Sequence, residues 1–154
     1  MPELKSTLRV FNEADLKETG SIARGQEAKV IVGNKAYPSE RLRINLATLE
    51  VGTHVPLHWH AVEKVYYIIT GRATLTDIEG NTCEIKAGSV IYVSPGIASS
   101  HGWNVTEKIQ LLGIYATTDP LKGMQFKVDP ETKETLVEFN TLVKNGGGQF
   151  KSFY

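Results

Sequence analysis

Residues that turn the backbone punctuate this chain at short intervals, and between them run segments in which apolar and polar side chains alternate. That rhythm is the strongest constraint on the fold. Successive side chains of a strand point to opposite faces, whereas a helix repeats near 3.6 residues. Lys29 to Val32 precedes the turn signal Gly33-Asn34-Lys35, and Arg41 to Val51 sets Leu42, Ile44 and Leu46 on one face with Arg43 and Asn45 on the other. Val65 to Ile69 and Ala73 to Ile78 flank Gly71-Arg72, and Glu79-Gly80-Asn81 is a hairpin signal before Thr82 to Ile85. Ser89 to Val93 ends at Ser94-Pro95-Gly96, and Ile109 to Ala116 is the last clear strand. Many short strands at this spacing predict an all-β sandwich or barrel.

The ends carry helical signals. Asn12 can cap a single turn running to Lys17. Asp129-Pro130-Glu131 offers an N-cap, a proline at the first helical position and an early acid. A helix from about Pro130 to Val143 would bury Leu136, Phe139 and Val143, with Asn145-Gly146 closing it. Thr135 to Phe139 also alternates, so a strand is the competing expectation there. Gly146-Gly147-Gly148 then leads into the aromatic tail Gln149 to Tyr154, which would dock on the barrel or on a neighbouring subunit. With 154 residues and no internal repeat, the chain fits one domain over 1–154, its barrel core spanning about 28–117 and a C-terminal extension about 118–154.

Composition excludes several function classes. Seventeen basic and seventeen acidic residues balance, giving no electrostatic reason to expect nucleic acid or an anionic membrane as partner. No apolar run reaches the length of a membrane span, and Met1-Pro2-Glu3-Leu4-Lys5 lacks the apolar core of a signal peptide. The single Cys83 cannot form an internal disulfide, and its parity with Ile85 and Ala87 predicts a small buried residue. A soluble cytoplasmic protein is the expectation.

Chemistry concentrates in the histidines, of which the chain has four. His58 and His60 form an H-W-H pair in a strand-like run, which sets both imidazoles on one face. Their Cβ atoms are then roughly 7 Å apart, and two rings at that spacing can converge on one ion at about 2.1 Å. Trp59, between them, should point away into packing. His54 shares the parity of His58 but lies roughly 13 Å along an extended strand, too far for a further ligand. Walker, G-x-G-x-x-G, G-x-S-x-G and paired-cysteine motifs are absent.

The stretch from Gly52 to Gly71 resembles the first signature of the cupin superfamily, in which an H-x-H pair and a glutamate lie between two glycines. Gly52, His58, His60 and Gly71 are in register, and Lys64 stands at the glutamate position, with Glu63 one residue early. Gly88 to Asn104 resembles the second signature. Gly88 and Gly96 match, Ser94 replaces the proline beside Pro95, and Ser99 occupies the expected histidine position, so that His101 arrives two residues late. A two-residue offset preserves strand parity, so a wider loop can still deliver His101 inward.

The resemblance implies an all-β, single-domain cupin, a jelly-roll (double-stranded β-helix) barrel of the RmlC-like kind with short helical elements at the termini. It also implies a homodimer joined through N-terminal strands. Carried over by residue, it implies His58, His60 and His101 as ligands of a divalent transition metal (iron, manganese, nickel or zinc). A barrel that holds no metal is the competing expectation. Lys64 cannot donate a lone pair while charged, and two positive charges against one at about 4 Å cost several kcal/mol even at an effective dielectric near 20. Lys64 therefore turns away, pairs with Glu63 or another acid, or sits in a pocket whose metal is weakly held or absent. Near the site it would serve as an anion clamp or, with a lowered pKa, as a base.

Tyr66, Tyr92 and Trp103 are candidate pocket walls, with core packing as the alternative. Arg43 and Asn45 would recognise an anionic or oxygen-rich ligand if their face turns inward, and water if it turns outward. The resemblance extends to three-histidine cupin dioxygenases acting on small organic substrates. The alternatives are an isomerase, epimerase or lyase of a sugar or small acid, with Lys64, Glu63 or Tyr66 handling protons, and a non-catalytic binder of a small ligand.

Overall fold

In the computed structural model, residues 3–16, 21–23, 25–119 and 121–136 are described. Alternation becomes nine strands: β1 Ser21–Ala23, β2 Gln26–Val32, β3 Arg43–Leu49, β4 His54–Trp59, β5 Lys64–Asp77, β6 Thr82–Lys86, β7 Val90–Val93, β8 His101–Tyr115 and β9 Phe126–Lys127. Every pairing between them is antiparallel. The two long strands, β5 and β8, form the spine, pairing from Lys64↔Tyr115 to Asp77↔His101. The other edge of β8 carries β3 along its second half and β4 along its first, while the other edge of β5 carries β7 and then β6. The result is the expected all-β barrel.

The sequence splits β5 at Gly71 and starts the last strand at Ile109, and both elements are longer than that. β5 runs through Gly71, bending at register irregularities between Ile68 and Ala73. Gly71 has φ +92°, and a Cβ there would run into the Lys108 carbonyl of β8, so the bend requires glycine. Ile109 to Tyr115 is the second half of β8; its first half alternates too, with Trp103 and Val105 buried and Asn104 and Thr106 exposed, and the exposed Glu107 and Lys108 separate the two halves in sequence. The turn after Val32 is tied by Asn34, whose amide donates to the Val30 carbonyl at 2.7 Å and accepts from the Tyr37 N–H at 2.7 Å. The hairpin at Glu79-Gly80-Asn81 closes as expected, the Asp77 N–H donating to the Asn81 carbonyl.

Inside the barrel, Leu49, Ile68, Val105, Ile109 and Leu111 form the centre of the core, and Ile68 and Ile109 are wholly buried. Each such side chain contributes about 1.5–3 kcal/mol through removal from water. Antiparallel register fixes which face of β3 is inward: Asn45 lies opposite Gly113, Ala47 opposite Leu111, and Leu49 opposite Ile109. The inward face is therefore the one that bears Arg43 and Asn45, and Asn45 is buried.

A second cluster packs outside that core, where Trp59 stacks on Phe126 with ring centroids 4.6 Å apart, beside Val128. The Trp59 indole N–H donates to the Thr135 hydroxyl at 2.9 Å. Trp59 thus points away from its flanking histidines, as parity requires, and anchors the segment after β8.

Three expectations fail. Residues 130–136 form no helix: Asp129 accepts from the N–H groups of Glu131 and Thr132, Lys133 turns the chain at φ 61°, and Val128 bridges Thr135. The Asp-Pro pair that would start a helix starts a reversal, because pairing with Val128 and Trp59 rewards an extended return; Leu136 is exposed, and Phe139 and Val143 lie outside the described residues, as does the 149–154 tail. Cys83 is exposed rather than buried, since it lies beside the hairpin turn where only Ile85 of β6 is covered. Tyr92 is 62% exposed on the outer face of β7, away from the barrel interior. Near the N-terminus, Asn12 caps the short 3-10 turn Glu13–Asp15 through the Ala14 N–H. Among the described residues no helix is long and apolar enough to cross a membrane.

Candidate metal centre

β4 carries His58 inward near its end, and His60 follows one residue beyond the strand on the same side. His101 opens β8 directly opposite His58 in the ladder. A one-turn 3-10 helix, Ile97–Ser99, absorbs the two-residue delay before it, and Ser100 closes that turn through its hydroxyl to the Ile97 carbonyl at 2.6 Å. The three imidazoles are 1%, 0% and 3% exposed. Ring centroids lie 5.1 Å apart for His58 and His60, 4.4 Å for His58 and His101, and 5.9 Å for His60 and His101. One nitrogen from each falls within 4.8 Å of the other two.

Backbone carbonyls set the tautomers. Nδ1 of His58 meets the Pro56 carbonyl at 2.7 Å, Nδ1 of His60 the Gly123 carbonyl at 3.2 Å, and Nδ1 of His101 the Ser99 carbonyl at 2.9 Å. A carbonyl only accepts, so each Nδ1 carries its hydrogen and each Nε2 presents a lone pair. Nε2 of His58 and of His60 is buried without a hydrogen-bond partner, while that of His101 accepts from the Tyr66 hydroxyl at 3.1 Å. An unpartnered buried acceptor costs about 1–3 kcal/mol.

Burial, with His101 and Lys64 adding to it, lowers the His58 pKa to about 3 against the upward pull of the Pro56 carbonyl. Burial and the neighbouring Lys64 drive His60 down further. His101 falls to about 4 through burial, opposed by its Ser99 hydrogen bond. All three are neutral near pH 7, which is the ligating form of imidazole. Convergent lone pairs, two of them orphaned, and Nδ1 groups held by outer carbonyls are what a transition ion requires. The donor set fits the metal that the sequence implies.

Lys64 enters β5 facing inward and is 3% exposed. Among the described residues it pairs with no acid; its Nζ donates to the Tyr115 hydroxyl at 2.6 Å and lies 4.0 Å from the ring centroids of both Tyr66 and Tyr115. Burial, then the charge of Arg43, holds its pKa well below the usual lysine range. Glu63, on the opposite parity, is exposed, and its carboxylate accepts from the Tyr92 hydroxyl at 2.7 Å. The structure thus joins Lys64 and Tyr66 to the histidine cluster and leaves Glu63 outside. His54 is exposed and shares a hydrogen bond with the Asn104 amide oxygen at 2.8 Å, away from the cluster.

Tyr115 is a site residue that sequence reasoning missed. It stands edge-on to His60 with centroids 5.8 Å apart, and burial pushes its hydroxyl pKa up to about 12. Its parity with Leu111 and Gly113 was the available signal, masked by its place at a strand end. Gly123, from the loop after β8, was also unforeseen, because its contribution is a backbone carbonyl.

Beside the histidines lies a cavity of about 50 Å³ whose lining includes Asn45, Leu49, His58, Lys64, Tyr66, Trp103 and Tyr115. Asn45 Oδ1 and Trp103 Nε1 are buried there without hydrogen-bond partners. A larger hollow of about 220 Å³ lies on the outer side, lined by Glu13, Glu27, Lys29 and Gln110 among others, and contains none of the clustered groups.

Comparison with known proteins locates this arrangement. The family model described as the Cupin domain matches residues 45–115, which span the histidine cluster. An uncharacterized protein of Streptomyces coelicolor is 29% identical over 75 residues, covering 49% of this chain and 70% of its own. The polyketide cyclase RemF from Streptomyces resistomycificus superposes with a TM-score of 0.67 at 16% identity, covering 96% of this chain and 99% of that one. A point mutant of salicylate 1,2-dioxygenase from Pseudoaminobacter salicylatoxidans superposes with a TM-score of 0.54 at 17% identity, over 62% of this chain and 28% of the dioxygenase. Identities this low speak for a shared fold.

Proposed function

We propose that this chain is a cupin metalloenzyme holding a divalent transition ion through His58, His60 and His101, a reading supported by the Cupin domain model over residues 45–115 and by the clustering of the three imidazoles. The observation that carries this is the set of three desolvated imidazoles, each with Nδ1 tied to a carbonyl and Nε2 turned to a common point. Iron, manganese, nickel and zinc all suit neutral imidazole ligands, and three of these leave positions open. The ion would supply Lewis acidity or, as iron or manganese, one-electron redox chemistry to a small organic molecule in the barrel. Dioxygenase-like oxidation is our preferred reaction class, in keeping with one structural neighbour being a salicylate dioxygenase.

The protein's own groups have defined work in that reading. The backbone carbonyls of Pro56, Ser99 and Gly123 orient the rings. Once the His101 Nε2 is engaged, the Tyr66 hydroxyl is released to donate to a ligand in the cavity. Ile68, Leu111 and Trp103 keep bulk water from that space.

A second reading, isomerase or lyase chemistry, draws support from Lys64. A lysine whose pKa is depressed by burial and which is hydrogen-bonded to Tyr115 is a base beside an acid. The free Cys83 agrees with a reducing, cytoplasmic setting. Leu4, Leu8 and Val10, more than four-fifths exposed, would be covered by a second copy of the chain, giving the homodimer.

Metal analysis of protein purified without chelator tests the main reading. One ion per chain is expected, lost in the variant with both His58→Ala and His60→Ala. Metal-free protein whose melting temperature neither iron nor manganese raises would sink it. Oxygen uptake on a substrate panel then separates oxidation from isomerisation.

A further inference from the structure

Three adjacent strands bring Arg43 of β3, Tyr115 of β8 and Lys64 of β5 into one inward row, through the register pairs Arg43↔Tyr115 and Lys64↔Tyr115. Two strand spacings separate the outer members, about 10 Å between their backbones, a span that long side chains close. Both outer members are basic side chains, and among the described residues neither forms an ion pair with a carboxylate. Arg43 Nε is buried without a hydrogen-bond partner. Tyr115 accepts from Lys64, so its own hydroxyl hydrogen is left to donate. Trp103 Nε1, buried in the same cavity, is a further unpartnered donor, and the Asn45 amide, 8% exposed, presents an unpartnered oxygen.

Lys64, Tyr115 and Trp103 bring donors to the cavity, Arg43 stands next to Tyr115 at the end of the row, and most of the other lining is apolar, at Ala47, Leu49, Val55 and Leu111, with Gln26 and Gln125 as polar exceptions. Such a wall suits a planar anion with an apolar body and not a tetrahedral one, whose oxygens need donors on several sides. We propose that this barrel takes a small organic carboxylate, its carboxylate bound along the Arg43–Tyr115–Lys64 row and its body turned toward the three histidines. The proposal rests on the metal reading for which end of the ligand reacts, and on the row alone for the carboxylate. Burial and the Arg43 charge both disfavour the ammonium form of Lys64, and an anion beside the two basic groups would favour it.

The test titrates acetate, pyruvate and benzoate, each against its own amide and against inorganic phosphate, into the full chain. Calorimetry is run on metal-free and zinc-loaded protein. At least one carboxylate should bind the metal-free protein about tenfold tighter than its amide, the worth of one charge-assisted hydrogen bond. Arg43→Gln and Lys64→Met should each remove that preference while the zinc stoichiometry stays that of the unmodified protein. Arg43 is only partly buried, so its variant carries the test if Lys64→Met does not fold. The proposal is overturned if no carboxylate outbinds its amide, if phosphate outbinds every carboxylate, or if the preference survives Arg43→Gln. Should zinc fail to bind while the carboxylate preference persists, the metal reading falls and the carboxylate site stands.

Discussion

Replacing His58 with leucine separates a metal ligand from a histidine kept for packing. In the metal-free protein, His58→Leu removes an Nε2 that is buried without a partner, recovering about 1–3 kcal/mol. It also removes the bond from Nδ1 to the Pro56 carbonyl, a loss of about 0.5–1.5 kcal/mol. Leucine is close to histidine in volume and wholly apolar, so the metal-free variant should be as stable as the parent or more stable by about 1 kcal/mol. For a chain of 154 residues that is a rise of roughly 2–4 °C in melting temperature. Zinc at a free concentration of 100 Kd should stabilise the parent by about 2.7 kcal/mol, or roughly 5–11 °C, and leave the variant unmoved. The order of melting temperatures then inverts between the two conditions, measured by calorimetry at pH 8. A packing histidine gives the opposite result: a variant that melts well below the parent with or without zinc, and a parent that zinc does not shift. That outcome would refute the assignment.

Lys64→Glu exchanges a buried basic group for a possible carboxylate ligand, so zinc affinity measured against a competing chelator should rise at least about tenfold, an opposite charge beside the ion being worth more than about 1.4 kcal/mol at an effective dielectric near 20; unchanged affinity would mean that position 64 does not feel the ion. His58, at about 3, and His101, at about 4, are already neutral at pH 7, so zinc titrations in buffers of different ionisation enthalpy should detect no proton release, whereas histidines near their ordinary value of 6.5 would release a measurable fraction. Because these folded values lie below the unfolded one, the metal-free protein should be fully stable above about pH 6.5 and lose stability as the pH falls toward about 4 and then about 3, as urea unfolding across that range would record. Gly71→Ala puts a Cβ against the Lys108 carbonyl at a positive φ, and a loss of more than about 1–3 kcal/mol in urea unfolding is expected; a neutral result would mean that the bend in β5 relaxes freely.

Much of this was legible because period-two patterning survives wherever one face of a strand is buried. The H-W-H pair shows it best: parity alone sends His58 and His60 to one side and Trp59 to the other, and the Trp59–Phe126 stack is the consequence. Parity also carries His101 across a two-residue delay to stand opposite His58. Long-range partners were not legible. Asp129-Pro130-Glu131 has the local chemistry of a helix start, and only the Val128↔Thr135 bridge and the Trp59–Thr135 hydrogen bond, made far away in sequence, turn it back. Cys83 shares the parity of Ile85, yet parity says nothing about how far the covering layer extends past a hairpin. Tyr115 and the Gly123 carbonyl belong to the site through tertiary packing, and neither residue type announces such a role.

Lys64 shows how a single register position can redirect a barrel. A carboxylate there would have neutralised one charge of a bound ion; lysine adds one instead. Its burial is tolerable because two tyrosine rings stand 4.0 Å from Nζ and the Tyr115 hydroxyl accepts from it, an environment that shelters an amine without supplying an opposite charge. Arg43, next but one in the same row, makes the deficit of negative charge larger. A divalent ion on three neutral imidazoles would deepen it again, and among the described residues no carboxylate is buried beside it. The carboxylate ligand proposed above would supply the opposite charge. On that reading the departure at position 64 moves the carboxylate from the protein to its substrate, and affinity for an acid over its amide is the measurement that tests it.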